Sequence, residues 1–277
     1  MASPRQGTGD PALDAELLDV AQALAEAARP ATLAHFRARS LATDNKDARP
    51  GEFDPVTEAD RAAEAAMRAV LAERRPQDGI LGEEEAPVAG STGLTWVLDP
   101  IDGTRGFISG TPTWGVLIAC ADDRGPLLGV IDQPYIGERF TGGPGVARVD
   151  GPLGRAPLAV SRTRRLDEAT LLTTFPEVGT DAEGRAFHAV SRRARLTRYG
   201  MDCYGYALLA AGCVDLVIEA GLQPYDIAAP IGVIEAAGGI VTDWTGGPAH
   251  NGGRVIAAAT PELHAAALEI LAAGAGA

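Results

Sequence analysis

The sequence predicts a layered α/β fold, and three observations predict it. The chain opens with two amphipathic helical stretches. It continues as short apolar runs separated by Gly, Pro and Asp turns, and from about Leu166 onward apolar runs alternate with helical ones. The middle reads as a meander of strands, and the alternation as helices layered on a second sheet.

Each element has its own signal. Residues 14–37 form a helix with Leu17, Leu18, Ala21, Leu24 and Ala25 on one stripe, which Pro30 is expected to kink or end. A polar segment over 40–52 follows. The second helix starts at Thr57, because Thr57-Glu58-Ala59-Asp60 resembles a capping box and Ala63, Ala66, Met67, Val70 and Leu71 keep helical spacing as far as Pro76. Ile80-Leu81-Gly82 is a short strand, and residues 96–98, 116–120 and 127–131 supply the meander. Residues 142–155 carry five glycines and two prolines and read as a hinge between an N-terminal half, 1–150, and a C-terminal half, 151–277. Beyond it, strands are expected at 171–173, 216–219, 240–242 and 255–258, and helices at 181–195, 203–211, 227–237 and 261–272.

Composition removes several classes of function. Of 277 residues 46% are hydrophobic, which excludes a disordered chain, and 24 Lys+Arg against 37 Asp+Glu leave a net charge of −13, which disfavours nucleic acid as a partner. The dense basic cluster, Arg162, Arg164 and Arg165, reads as a solvated loop. Cys120, Cys203 and Cys213 form no CxxC pair, so a reducing compartment is the simpler reading. Residues 1–10 lack the pattern of a signal peptide, and Asp215, Glu219 and Glu235 interrupt the best apolar runs below the ~18 residues a membrane span needs. The expectation is a cytoplasmic protein with no membrane partner.

The chemistry concentrates in Thr95-Trp96-Val97-Leu98-Asp99-Pro100-Ile101-Asp102-Gly103-Thr104. An apolar strand ends there in two carboxylates that can converge on a hard divalent cation. Gly103 and Thr104 then offer backbone N–H groups to a phosphate if a helix begins at that point. Taken alone, the segment is equally an Asp-Pro turn followed by an Asp-Gly turn. Glu83, Glu84 and Glu85 repel one another unless solvent or a cation neutralises them. Asp54 stands just before a helix N-terminus, and Asp226 at the start of an apolar helix, where dipole complementation and N-capping are their bland roles. One shared site accounts for all four segments more simply than four unrelated roles.

Other chemistries lack their residues. Asp99 and Asp102 are three apart, not the two of a phosphoaspartate D-x-D-x-T loop, and no GxxxxGK[ST] is present. His35, His188, His250 and His264 are scattered, and Cys203 reads as a small buried apolar residue.

Together, residues 54–60 (DPVTEAD), 82–84 (GEE), 99–104 (DPIDGT) and 225–229 (YDIAA) resemble, in this order, the inositol monophosphatase family of metal-dependent, lithium-sensitive phosphatases, over roughly residues 15–270. Tyr225 departs from the family's usual tryptophan. The resemblance implies an αβαβα sandwich of the inositol monophosphatase and fructose-1,6-bisphosphatase type, a homodimer, and two or three Mg2+ ions per site, with Mn2+ as an alternative. It implies a first metal site of Glu83, Asp99, Asp102 and the carbonyl of Ile101, a second of Asp226 with Asp99 and Asp102, and a third ion near Glu83. It also implies Thr104 with Asp54 as the pair that orients and deprotonates the attacking water, and the N–H groups of Gly103 and Thr104 as phosphate holders.

Residues 108–115, 129–140 and 198–206 resemble the histidinol-phosphatase branch of that family, which implies L-histidinol phosphate as the small phosphate ester. Asp202 stands where inositol phosphatases carry a small apolar residue. A carboxylate there suits an ammonium or imidazole, and Asp202 and Glu219 are the candidate partners for those groups, with N-capping as the bland role of Asp202. Asp132, Gln133 and Glu138 fit the site rim or a hairpin surface. Two other readings stand beside this one: an inositol, sugar or nucleotide phosphatase with the same metal site, and a non-catalytic, metal-stabilised interaction protein.

Overall fold

In the computed structural model, which describes residues 7–38, 43–45 and 55–275, the chain begins with helix α1 (Pro11–His35), capped by the Asp10 carboxylate. The helix continues through Pro30 instead of ending there. Its buried stripe of Leu17, Val20, Ala21, Leu24, Ala25 and Ala28 leads up to the proline and Thr32 stays buried beyond it, and that packing outweighs one missing N–H. Part of the segment expected to be polar loop is β1 (Thr43–Asn45), paired antiparallel with β2 (Pro55–Thr57). Helix α2 (Glu58–Arg74) starts with the capping box read from the sequence: Thr57 N–H donates to Asp60 Oδ2 at 2.8 Å and Ala59 N–H to Thr57 Oγ1 at 3.1 Å.

The first sheet runs in the order β3 (Gly79–Gly82), β4 (Thr95–Asp102), β5 (Gly115–Asp122), β6 (Gly125–Gln133), β7 (Glu138–Gly143), β8 (Val146–Gly151) and β9 (Gly154–Pro157). It is antiparallel apart from the β3–β4 pair. Helix α3 (Thr104–Ser109) connects β4 to β5. The glycine-rich segment expected to be a hinge is therefore sheet. Its glycines serve turns, as at Gly145 with φ +68°, or close approach, since a Cβ on Gly142 would lie 2.4 Å from Val233 Cα.

The second sheet is formed by β10 (Thr170–Thr173), β11 (Leu196–Tyr199), β12 (Leu216–Leu222), β13 (Ile240–Asp243) and β14 (Gly253–Ala258), in the order β11-β10-β12-β14-β13. Helices α4 (Asp181–Ser191), α5 (Asp202–Ala210), α6 (Pro224–Ala236) and α7 (Pro261–Ala275) accompany it. Strand β11 takes residues next to the expected end of α4. It is a mostly exposed edge strand held by β10, so it carries no apolar alternation for sequence reading to find.

Five layers result: α1 and α2, the first sheet, α5 and α6, the second sheet, then α4 and α7. Trp96, Leu98, Val116, Ile118 and Cys120 face α1 and α2, whereas Val97, Leu117 and Ala119 face the central helices. Likewise Leu216, Ile218 and Ile256 face α4 and α7 while Val217, Val255 and Ala257 face inward. Both faces of the central strands are covered, which is why they read as unbroken apolar runs, whereas the edge strands β9 and β11 are exposed. Helix α6 lies directly on the first sheet, because a Cβ on Gly129 would meet the Ala229 carbonyl at 2.1 Å and one on Gly232 would meet Gly129 N at 2.5 Å. No helix among the described residues is long and apolar enough to cross a membrane.

Candidate active site

Strand β4 aims the two aspartates. With a side-chain period of two, residues three apart point to opposite faces, but the β4–β5 register pairs Asp99 with Leu117 and Asp102 with Gly115, three steps against two. The extra residue is a bulge at Pro100-Ile101, where proline costs no ladder bond, and it turns both carboxylates to one side. Gly103, at φ +83°, then reverses the chain into α3, which is anchored by Phe107 against Phe36 and Trp114.

Asp226 comes from the first turn of α6, where its Oδ2 accepts the Gln223 N–H at 2.7 Å and so caps the helix as well as facing the cluster. Carboxylate oxygens of Asp99, Asp102 and Asp226 all lie within 4.8 Å of one another. Burial, then the neighbouring charges of Glu83, Asp102 and Asp226, hold Asp99 well above the usual carboxylate range, and Glu83 hydrogen-bonds to it. Burial, Asp226 and Asp202 raise Asp102 in the same way, although the Cys203 N–H donates to its Oδ2 at 2.7 Å. An all-oxygen set of buried and half-buried, mutually repelling carboxylates fits a hard divalent cation, whose charge would remove the repulsion.

These groups line a cavity of about 400 Å3. Glu83, Asp99, Ile101, Asp102, Gly103 and Thr104 border it, and so do Asp202, Glu219 and Asp226. The structure thus brings together the described residues expected to hold metal, phosphate and the substrate cation, whereas Asp132, Gln133 and Glu138 do not line the cavity; Asp54 lies outside the described residues. The Thr104 hydroxyl lies 3.1 Å from the Ile101 carbonyl oxygen and 3.4 Å from Asp60 Oδ1.

Asp202 is not a helix cap. Met201 holds the N-cap position of α5, and Asp202 adopts φ +45° with its Oδ2 accepting from Thr113 Oγ1 at 2.8 Å. It packs over Gly103, where a Cβ would lie 2.7 Å from Asp202 Cβ, and burial raises its carboxyl. Burial likewise raises Glu219 to about 7, against the hydrogen bonds it accepts from Thr173 and Thr174. Asp132 is neither rim nor hairpin surface: it is fully buried between Arg29 and Arg139.

Sequence reading missed Glu64, Thr113, Thr174 and the Arg105–Phe175 pair, whose guanidinium sits 4.9 Å from the ring at the cavity wall. Glu64 had a signal. It is a carboxylate one turn after Asp60 on a helix whose neighbouring positions, Ala63 and Met67, are buried.

The inositol monophosphatase family matches residues 13–274. The chain belongs to that family. It is similar to the bifunctional phosphatase IMPL2 of Arabidopsis thaliana, with 39% identity over 263 residues that cover 91% of this chain and 74% of that protein. A histidinol-phosphatase of Chlorobaculum parvum is 36% identical over 232 residues, covering 83% of this chain and 86% of the other. Among solved structures, an inositol monophosphatase from Zymomonas mobilis superposes with a TM-score of 0.82 at 39% identity, over 93% of this chain and 98% of that one. The five layers and the acidic cavity are therefore those of a phosphatase of the inositol monophosphatase family, and its acidic cluster is its candidate metal centre.

Proposed function

We propose that the protein hydrolyses L-histidinol phosphate to L-histidinol and phosphate, with Mg2+ at the carboxylate cluster. The observation that carries this reading is a pair of acids, the half-buried Asp202 and the buried Glu219, lining the same cavity as the cluster. A substrate with a phosphate at one end and an ammonium and imidazole at the other matches that division of charge. The similarity to a histidinol-phosphatase supports it.

In this reading Glu83, Asp99, Asp102, Asp226 and the Ile101 carbonyl hold two or three magnesium ions, with manganese as the alternative. Magnesium bound there supplies Lewis-acid charge for the phosphoryl oxygens. The N–H groups of Gly103 and Thr104 hold phosphate oxygens, and the Thr104 hydroxyl with Asp54 orients the attacking water and takes its proton. Asp60, 3.4 Å away, accepts from that hydroxyl and ties Thr104 to α2. The water oxygen bonds to phosphorus as the ester P–O bond breaks, and a proton ends on the departing alcohol. The same proposal places the protein in the cytoplasm as a lithium-sensitive homodimer.

A second reading, an inositol monophosphatase, is favoured by the Zymomonas mobilis structure. Phosphate release with Mg2+ separates the two, by comparing kcat/KM for L-histidinol phosphate and myo-inositol 1-phosphate. A preference of about a hundredfold for the first, roughly 2.7 kcal/mol of transition-state discrimination, is expected. The reverse preference keeps the metal site and discards the role given to Asp202.

A further inference from the structure

Glu64 is fully buried on α2 and takes no part in the chemistry above. Its Oε2 accepts the Glu84 N–H at 2.8 Å, and its Oε1 accepts the Glu85 N–H at 3.1 Å and Arg68 Nε at 2.8 Å. Arg68, one turn further on, donates through Nη2 to the Glu85 carbonyl at 3.0 Å. Gly82 is bare for the same reason: a Cβ there would lie 2.1 Å from Glu64 Oε1. Glu83 is thus the one residue between a glycine pressed on Glu64 and a backbone tied to it. Four residues earlier on α2, Asp60 approaches Thr104. One polar stripe, Asp60, Glu64 and Arg68 at helical spacing, thus reaches from Thr104 to the 82–85 loop.

We propose that Glu64 is a positioning residue for the metal centre, holding the 82–85 loop so that the Glu83 carboxylate meets Asp99. A buried anion set beside an acidic loop is costly unless its bonds are specific, and these bonds go to the backbone on either side of one candidate ligand. The inference rests on the metal-dependent reading above and adds the part that fixes Glu83.

The test is Mg2+ binding by calorimetry on the metal-free full-length protein, for wild type, Glu64→Gln and Gly82→Ala, with melting temperatures measured alongside. Glu64→Gln keeps the shape but leaves one carbonyl oxygen where two carboxylate oxygens accepted. Gly82→Ala keeps the carboxylate and sets a methyl against it, pushing the loop off Glu64, so either folded variant decides the matter. The Mg2+ dissociation constant is expected to rise about tenfold or more in both, as for other residues that orient metal ligands, with kcat recovering at saturating Mg2+. Wild-type affinity in the folded variants overturns the inference and leaves the metal centre standing. A wild type that takes up no Mg2+ overturns the metal reading and this inference with it.

Discussion

The carboxyl groups lining the cavity differ in what each is bonded to, and the differences set what substitution does. Asp99 is buried among Glu83, Asp102 and Asp226, so its charge is repelled from three sides. Asp99→Asn should lower Mg2+-dependent phosphate release by at least about a hundredfold. The same change should raise the melting temperature in EDTA, because it removes a buried charge that the cluster opposes. Loss of fold, or near-normal turnover, would count against the site. Asp202 is held by Thr113 and lies against Gly103. If it also reads a substrate cation, Asp202→Ala should cost histidinol phosphate about ten- to a hundredfold more in kcat/KM than a neutral ester, the usual worth of a hydrogen bond to a charged group. Equal losses on both esters would leave it only the task of holding α5 to α3. From the sequence, the acid types and their order were readable, whereas the Thr113 bond was not, since it joins residues 89 positions apart.

At the scale of elements, the cluster is made by how one strand and one helix are seated. The bulge that turns Asp99 and Asp102 to one side has a visible signature, the proline between two strand acids, although sequence reading took that segment only as strand end and turn. The seating of α6 has none: Gly129, Gly142 and Gly232 sit far apart in sequence and are bare only because strand and helix backbones touch. Gly232→Val should therefore cost about 1–3 kcal/mol in urea unfolding through overpacking. It should also weaken Mg2+ binding in the protein that still folds, since Asp226 rides on the first turn of that helix. Unchanged stability would mean that α6 has room to shift. The same contact explains why residues 142–155 failed as a hinge. Their glycines mark close packing and turns within a sheet, which composition alone does not distinguish from a linker.

Across the whole molecule, the site's acids make stability depend on pH and metal. Glu219 is raised to about 7 by burial, above an ordinary 4.5, so the folded state favours its protonated form. Its contribution is fully present below about pH 4.5 and is lost as pH rises through 7, a cost on the order of 3 kcal/mol. The metal-free protein should accordingly unfold at lower urea at about pH 8 than at about pH 5, and Glu219→Gln should flatten part of that slope. Asp99, Asp102 and Asp202, also raised, act in the same direction and account for the rest. An identical slope in Glu219→Gln would show that Glu219 is not held near neutrality. At a hundred times its dissociation constant, Mg2+ should add about 2.7 kcal/mol of stability, and EDTA should remove it.

Local physics was enough to determine the α2 capping box, the apolar strands with two covered faces, the alternating second half and the ordered acidic motifs. Each depends on residues close together in the chain. Only the tertiary structure decided that Asp202 packs on Gly103 instead of capping α5, that Asp132 is a buried ion-pair centre, that β11 exists, and that Glu64 ties down the Glu83 loop. Those outcomes depend on burial and on hydrogen bonds between distant segments, such as Cys203 to Asp102 across 101 positions. No local period or propensity encodes them, because their energy appears only when the layers close.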